Sequence, residues 1–447
     1  MENSFETRMN DFAQQALSAA QRAGISPAEV TVSSSESFSA RVCAQKLEDY
    51  KVSDRFHLVL RGAWQGRIGT ASTQAMDEES LEMLVQGVKE SAELIETDEQ
   101  DDILPPDDAY EKVCNYSEDA QRISAQEKIA LAMRIDARLA AADARIKPDA
   151  SLVASTSETF ALKNTLGLDL AHRSNMIYAY ASCLAREGEN AATGFKLLWG
   201  YSMADVDALC VADGCADDAL EKLGAQRLAS GARSVIIRNN AMADLLSTFS
   251  GVFSADNAQK GMSLLAGKEG QRIASEHVTL VDDPLMPWGL GSCPFDREGA
   301  ATKTKSVIEN GVLLTLLHNR KTAKKAGVQT TGNAAGSGRV APSNLYIQPG
   351  SADIEELMGK MENGLLITEL SGLHAGANPI SGDFSLLARG FEVIGGKCVR
   401  AVEQFTVAGN FYALLQDITA AADDLLFEGS PIGSPSVWVK QLNIAGE

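Results

Sequence analysis

Over residues 8–23, Phe12, Ala16 and Ala19 recur at helical spacing and the run stops at Gly24, which predicts an amphipathic helix closed by glycine. Val30 and Val32, then 38–44 and 56–61, alternate apolar and polar side chains, as half-buried strands do. Gly62, Gly66 and Gly69 around Trp64 mark a hairpin. From Glu78 the apolar positions Leu81, Leu84, Val85, Val88, Ala92 and Ile95 return to helical intervals. A second cycle follows: Ser124 and Glu127 form a Ser-x-x-Glu capping box ahead of Ile129, Met133, Ile135 and Leu139. Strands resume near Ser151, a turn is expected at 188–192, and a helix from Asp217. After a fresh strand at 234–237 and a helix at 241–253, short strands at 278–281, 307–317, 345–348, 365–370, 391–394, around Val407 and at 437–442 are divided by glycine-rich turns.

This pattern predicts an α+β chain in which an N-terminal helix and sheet region precedes a β-rich, barrel-like C-terminal domain. Glu96, Asp98, Glu99, Asp101, Asp102, Asp107 and Asp108, with Pro105 and Pro106, form an acidic run without basic residues, read as the first linker. A second boundary falls at 230–232. The expected units are therefore 1–110, 111–231 and 232–447. Ser33, Ser35, Glu36 and Phe38 recur as Ser155, Ser157, Glu158 and Phe160 at an offset of 122 (155 minus 33). A duplicated helix, sheet, helix unit and coincidence within a serine-rich stretch are the two readings of that recurrence.

The formal net charge of -20 opposes the counterion release that drives non-specific nucleic-acid binding, so no direct nucleic-acid partner is expected. Arg320, Lys321, Lys324 and Lys325 read as a solvated helix face. Residues 1–10 carry mixed charges without an apolar core, and no run of about 18 apolar residues occurs, so a cytoplasmic protein without membrane contact is expected. Seven cysteines at irregular spacing suggest reduced, mostly buried thiols.

Candidate chemistry is sparse. The residues following His57, His172, His277, His318 and His374 are Leu58, Arg173, Val278, Asn319 and Ala375, so no His-Glu-x-x-His helix exists. Gly-x-Ser-x-Gly and P-loop motifs are missing too. Gly336, Gly338 and Ala341 mimic a dinucleotide loop, but Pro342 and a strand follow where a helix is needed. Asp282 and Asp283 before Pro284 read as turn caps. The remaining candidates are Asp296 and Glu298 as an acid and base pair, Cys293 as a nucleophilic thiol, Asp383 with Ser385, and the loop His374.

The C-terminal half also carries a long ordered series: Val281, Asp282, Asp283, Pro284; Gly291, Ser292, Pro294, Phe295, Asp296, Glu298, Gly299; Ile308, Glu309, Asn310, Gly311, Leu313. It continues with Thr331, Gly332, Asn333, Ala334; Ser343, Asn344, Leu345; Pro349, Gly350; Gly382, Asp383, Phe384, Ser385; Ala408, Gly409, Asn410; and Gly433, Ser434, Pro435, Ser436. This series resembles the TldD/PmbA family, and the N-terminal half is similar more loosely. The resemblance implies a two-subunit assembly around an enclosed cavity, in which a TldD-type subunit carries a His-Glu-x-x-x-His zinc signature and the PmbA (TldE) type does not. Here Ser247, Thr248 and Val252 stand roughly at those three places, and Gly429 and Ser430 where the catalytic type has a further cysteine. None of these side chains replaces imidazole or a carboxylate base on zinc.

The resemblance implies no cofactor in this chain, zinc only in a TldD-type partner, and an extended peptide as substrate. Three functions follow in order: the non-metallated subunit of a cytosolic heterodimeric peptidase, a self-sufficient hydrolase using the candidates above, or a homodimeric peptide-binding regulator.

Overall fold

The structure, a computed structural model, describes residues 2–95 and 102–447. Residues 96–101 of the predicted acidic linker lie outside the described residues. The first unit runs α1 (Glu2–Arg22), β1 (Ala28–Cys43), β2 (Lys46–Trp64), β3 (Arg67–Thr73) and α2 (Glu78–Glu93). The second runs α3 (Glu118–Arg122), α4 (Ala125–Ala142), β4 (Ile146–Asn164), β5 (Asp169–Glu187), β6 (Asn190–Gly200) and α5 (Ala208–Lys222). The capping box forms as the sequence requires: Ser124 Oγ accepts the Glu127 N–H and the Glu127 carboxylate accepts the Ser124 N–H. The last helix begins at Ala208, not Asp217, because the Asp207 carboxylate accepts the N–H groups of Leu209 and Cys210 and starts it earlier.

All six strands form one antiparallel sheet in the order β3-β2-β1-β4-β5-β6. Helices cover one face, with α1 and α2 over Val30, Val32, Leu58 and Leu60, and α4 and α5 over Val153, Ile177, Ala179 and Ala181. A helix, three strands and a helix therefore occur twice. Each copy brings its last helix onto its third strand at a glycine. A Cβ on Gly69 would lie 1.8 Å from the Val88 carbonyl oxygen of α2, and one on Gly194 2.2 Å from the Cys215 carbonyl oxygen of α5.

The four matching residues, however, do not occupy equivalent places. Phe38 pairs with Ser155 across β1 and β4 and lies beneath the α4 residue Lys128, on the helical face. Phe160 pairs with Ser33 and stacks on Phe295 at 5.8 Å, on the opposite face. A related pair must share a face, so the architecture is repeated while this short match is out of step by one residue.

The C-terminal region contains β7 (Gly231–Ile237), α6 (Asn239–Phe249) followed by a 3-10 turn at Ser250–Phe253, α7 (Ala255–Gln259), β8 (Leu280–Asp282), β9 (Lys305–Glu309), β10 (Val312–Leu313) and α8 (Arg320–Ala326). It continues with β11 (Leu345–Ile347), α9 (Ile354–Met361), β12 (Gly364–Ser371), α10 (Leu373–Gly376), β13 (Asp383–Ile394), β14 (Lys397–Asn410), α11 (Phe411–Asp417), β15 (Ile418–Ala421), β16 (Ile432–Gly433) and β17 (Val437–Ala445). The barrel expected from the strand pattern is present. Strands β14-β13-β12-β7-β17 close on themselves when Thr406, Val407 and Ala408 pair with Ala445, Ile444 and Asn443. A smaller sheet, β10-β9-β8-β11-β16, packs beside it through a shared core.

The two halves meet on the sheet face that carries no helices. Arg297 lies 3.9 Å over the Phe160 ring, and the Tyr201 hydroxyl donates to the Trp288 carbonyl. The connecting chain is stitched into this seam: Asp107 accepts the Ala301 N–H, the Tyr110 hydroxyl donates to the Gly299 carbonyl, and Asn115 donates to the Gly289 and Ser292 carbonyls. Lys324 on α8 pairs with Asp102, which supplies a basic partner that the local sequence lacked.

Candidate functional site

Helix α6 occupies the place where the sequence resemblance puts a zinc signature. Its start is held by main-chain and side-chain bonds from distant loops. The Asn239 N–H donates to Ser436 Oγ, which itself donates to Asp424, and the Asn239 amide donates to the Asp424 carbonyl. Ala241, Met242, Leu245, Leu246 and Phe249 are buried, and Phe249 stacks on Phe411 at 4.7 Å. Helical spacing leaves Asp244, Ser247 and the half-buried Thr248 as the outward stripe. Val252 does not share it: the helix tightens into the 3-10 turn after Phe249 and buries Val252 in the core. Thr248 spends its hydroxyl on the Asp244 carbonyl of the preceding turn.

Beside α6 the loop at 427–429 reaches β6 at Leu197 and Trp199. The Trp199 indole donates to the Phe427 carbonyl at 2.7 Å, and a Cβ on Gly429 would touch Leu197. Tyr201 bridges the rings of Trp199 and Trp288. Asp244 and Glu428 are carboxylates that sequence reasoning passed over. Burial pushes the Glu428 carboxyl above its usual value, opposed by Lys196 and reinforced by Asp244 and Asp218. Asp244 is exposed at its tip, yet the crowding around it raises its carboxyl as well. Only the position of Asp244 three residues before Ser247, on one helix face, offered a sequence signal for this pair.

The carboxylate candidates of the sequence hold the framework, and His374 lies on α10, which packs against α6. Asp296 is buried, and its carboxylate accepts the N–H groups of Glu298, Ala300 and Ala334; burial nevertheless raises its carboxyl above the usual value. Glu298 accepts the Arg320 N–H at the start of α8. The two are consumed by separate stretches of backbone and do not form an acid and base pair. Asp383, on the barrel, is exposed and held by Asn410, which lowers its carboxyl. His374 is exposed on α10.

Burial pushes the Cys293 thiol up to about 11, the reverse of an activated nucleophile. Alkylation by iodoacetamide at pH 8, followed by mass spectrometry, is therefore expected to label the exposed Cys114, Cys210 and Cys398 well before Cys293. Preferential early labelling of Cys293 would contradict this. The expected burial of most cysteines holds only for Cys183 and Cys215; Cys43 and Cys293 are half-buried and three are exposed.

The remaining motif residues brace α6 and the β8 corner. Asp282, fully buried, binds Lys305, Asn333 and the Ser343 N–H, while Asn344 links Gly291, Ser292 and the Asp283 carbonyl. Phe384 packs near Phe249, and a Cβ on Gly409 would run into the Phe384 ring.

Three family models together match most of the chain: PmbA/TldA metallopeptidase domain 1 at residues 28–92, the central domain at 118–227 and the C-terminal domain at 230–446. The chain belongs to the PmbA/TldD family. It is 26% identical over 431 residues to the metalloprotease PmbA of Escherichia coli O157:H7, a match spanning 94% of this chain and 92% of that one. Several further relatives match over only 38–66% of their own length. A Thermotoga maritima protein described as a candidate modulator of a DNA gyrase superposes with a TM-score of 0.92 at 31% identity, covering 98% of this chain and all of that one. TldE from Thermococcus kodakarensis shares the fold, with a TM-score of 0.89 at 22% identity over 97% of this chain and 100% of its own.

The metal implied by the family's metallopeptidase description needs a set of imidazole, thiolate or carboxylate ligands. Among the described residues no three His, Cys, Asp or Glu side chains come together to hold a metal ion. On the outward stripe of α6 itself the donors are the Asp244 carboxyl and the hydroxyls of Ser247 and Thr248. Among the described residues, no helix is long and apolar enough to cross a membrane.

Proposed function

We propose that this chain is a PmbA/TldE-type subunit that binds no zinc of its own and works with a zinc-bearing TldD-type partner in a cytosolic peptidase system. In this reading it helps hold extended peptides or unfolded segments while the partner cleaves them. The observation that carries it is the outward stripe of α6, formed by Asp244, Ser247 and Thr248, together with the lack, among the described residues, of three metal-ligating side chains in one place.

The neighbouring sheet edge still suits a peptide. Strand β6 is an edge of its sheet, so an extended segment can add to it beyond Phe195, whose N–H is taken by Asp218, with Leu197 and Trp199 alongside. Asp244 and Glu428 favour a basic or amino-terminal end there. The occupied carboxylates and raised thiol of the other candidates weigh against a self-sufficient hydrolase.

The deciding experiment mixes this chain with a TldD-type protein and follows cleavage of an unfolded peptide. Chelator-sensitive activity in the mixture, none from this chain alone, and co-elution of the two are expected. Chelator-insensitive turnover by this chain alone would sink the reading, and a stable homodimer that binds peptide and ignores the partner would favour the regulator instead. In the active mixture, Asp244→Asn with Glu428→Gln should raise KM for a basic peptide by roughly threefold to tenfold with little change in kcat, since these groups bind without entering chemistry. An unchanged KM would remove them from the peptide path.

A further inference from the structure

At the centre of the six-stranded sheet, on its helical face, α3 and α4 roof a cavity of about 160 Å³. It lies on the sheet face opposite the one that meets the C-terminal region. Its lining includes Glu36, Phe38, Asp54, Gln121, Lys128 and Ser155.

Lys128 is an unexpected residue in this place. It is only 8% exposed, its Nζ donates to Ser155 Oγ at 2.7 Å, and it sits 5.0 Å over the Phe38 ring. Among the described residues the acid acting on it is its neighbour Glu127, whose carboxylate is already engaged in capping Ser124. Burial therefore lowers its ammonium. It also lies in the first turn of α4, where the helix dipole disfavours a cation. An ammonium has three hydrogens, so one hydroxyl and one ring leave it short of an anionic partner.

At the exposed edge of the cavity Glu36 on β1 and Asp54 on β2 are directly paired across the sheet, like charge against like charge. Glu36 is also directly opposite Ser157 on β4, two residues beyond Ser155 on the same face, or about 7 Å along the strand. Gln121 donates to Glu36 at 3.4 Å, which supplies no charge.

We propose that this cavity binds a short zwitterionic peptide, a dipeptide, with its carboxylate on Lys128 and Ser155 and its ammonium between Glu36 and Asp54. Two residues span at most about 7 Å, which matches the separation of the two charged ends. A free amino acid is too short to reach both. The ligand's carboxylate neutralises the buried Lys128 and its ammonium offsets the repulsion between the two carboxylates, so its two termini contribute jointly. The site is separate from α6, and its test stands whether or not the chain needs a zinc-bearing partner.

Calorimetric titration of the full chain with Ala-Ala, N-acetyl-Ala-Ala, Ala-Ala amide, alanine and acetate tests this. Ala-Ala is expected to bind, with each blocked analogue, alanine and acetate weaker by about tenfold or more. Lys128→Met should lose Ala-Ala binding by at least about tenfold while melting no lower than the wild type, since it replaces a buried cation with an apolar chain of similar length. Ser155→Ala, which keeps the lysine, and Glu36→Gln should each weaken binding by about threefold or more. No binding of Ala-Ala at millimolar concentration, equal binding of the blocked analogues, or a Lys128→Met variant that binds like the wild type would each overturn the proposal.

Discussion

Asp282→Ala is expected to lower the unfolding free energy by about 3–5 kcal/mol, as breaking one side of a buried ion pair does. Asp282 is fully buried, and its two oxygens serve Lys305 Nζ at 2.8 Å, Asn333 Nδ2 at 2.8 Å and the Ser343 N–H at 2.6 Å. The alanine leaves the Lys305 ammonium, itself only 14% exposed, without its counter-charge, and strands a backbone donor as well. Guanidinium unfolding followed by tryptophan fluorescence measures the loss. Asp282→Leu combined with Lys305→Met should recover much of it, because removing both charges removes the desolvation cost that each imposes. A loss below about 1 kcal/mol for the single variant would mean that water reaches the pair and screens it.

Gly69→Ala and Gly194→Ala are each expected to cost about 3 kcal/mol or more, despite adding one methyl group. At both positions the new Cβ would meet main chain rather than a movable side chain: the Val88 carbonyl oxygen at 1.8 Å for Gly69 and the Cys215 carbonyl oxygen at 2.2 Å for Gly194. The helix must lift from the sheet, opening the core between them. For a unit of this size the melting temperature should fall by roughly 6–12 °C. Gly359→Ala is the control, since it lies inside α9 with nothing within 4 Å of the added atom. It should be neutral or stabilising by about 0.5–1 kcal/mol. Equal melting temperatures for all three variants would show that the helices can move without cost.

Local order was legible wherever one side chain answers a backbone need. The Ser124 and Glu127 box, Gly24 after α1 and the apolar stripe of α2 each state their element within a few residues. The length of β1 and β2 was not, because their outer halves carry exposed polar residues such as Glu48, Asp49 and Lys51 that break the alternation. Barrel closure was visible only as a class of pattern. The pairing of Thr406 with Ala445 depends on tertiary geometry that no local period records. The candidate site divides in the same way. Asp296 and Glu298 look like an acid and base in sequence, but their carboxylates satisfy backbone donors that become visible only when 296–300, 320 and 334 are placed together. Asp244 and Glu428 were missed for the converse reason: they lie 184 positions apart (428 minus 244), and their mutual influence arises only in the folded chain.

The closing register of the barrel has a consequence for synthesis. Strand β7, at 231–237, is made early but needs both β12 and β17 as neighbours, and β14 stays open-edged until 443–445 arrive. The six-stranded sheet, by contrast, has all its strands by Gly200. A nascent chain paused anywhere between these points carries a finished sheet and an unfinished barrel with bare strand edges, the species most prone to pair with another copy. For this protein the hazardous interval on the ribosome is set by β17.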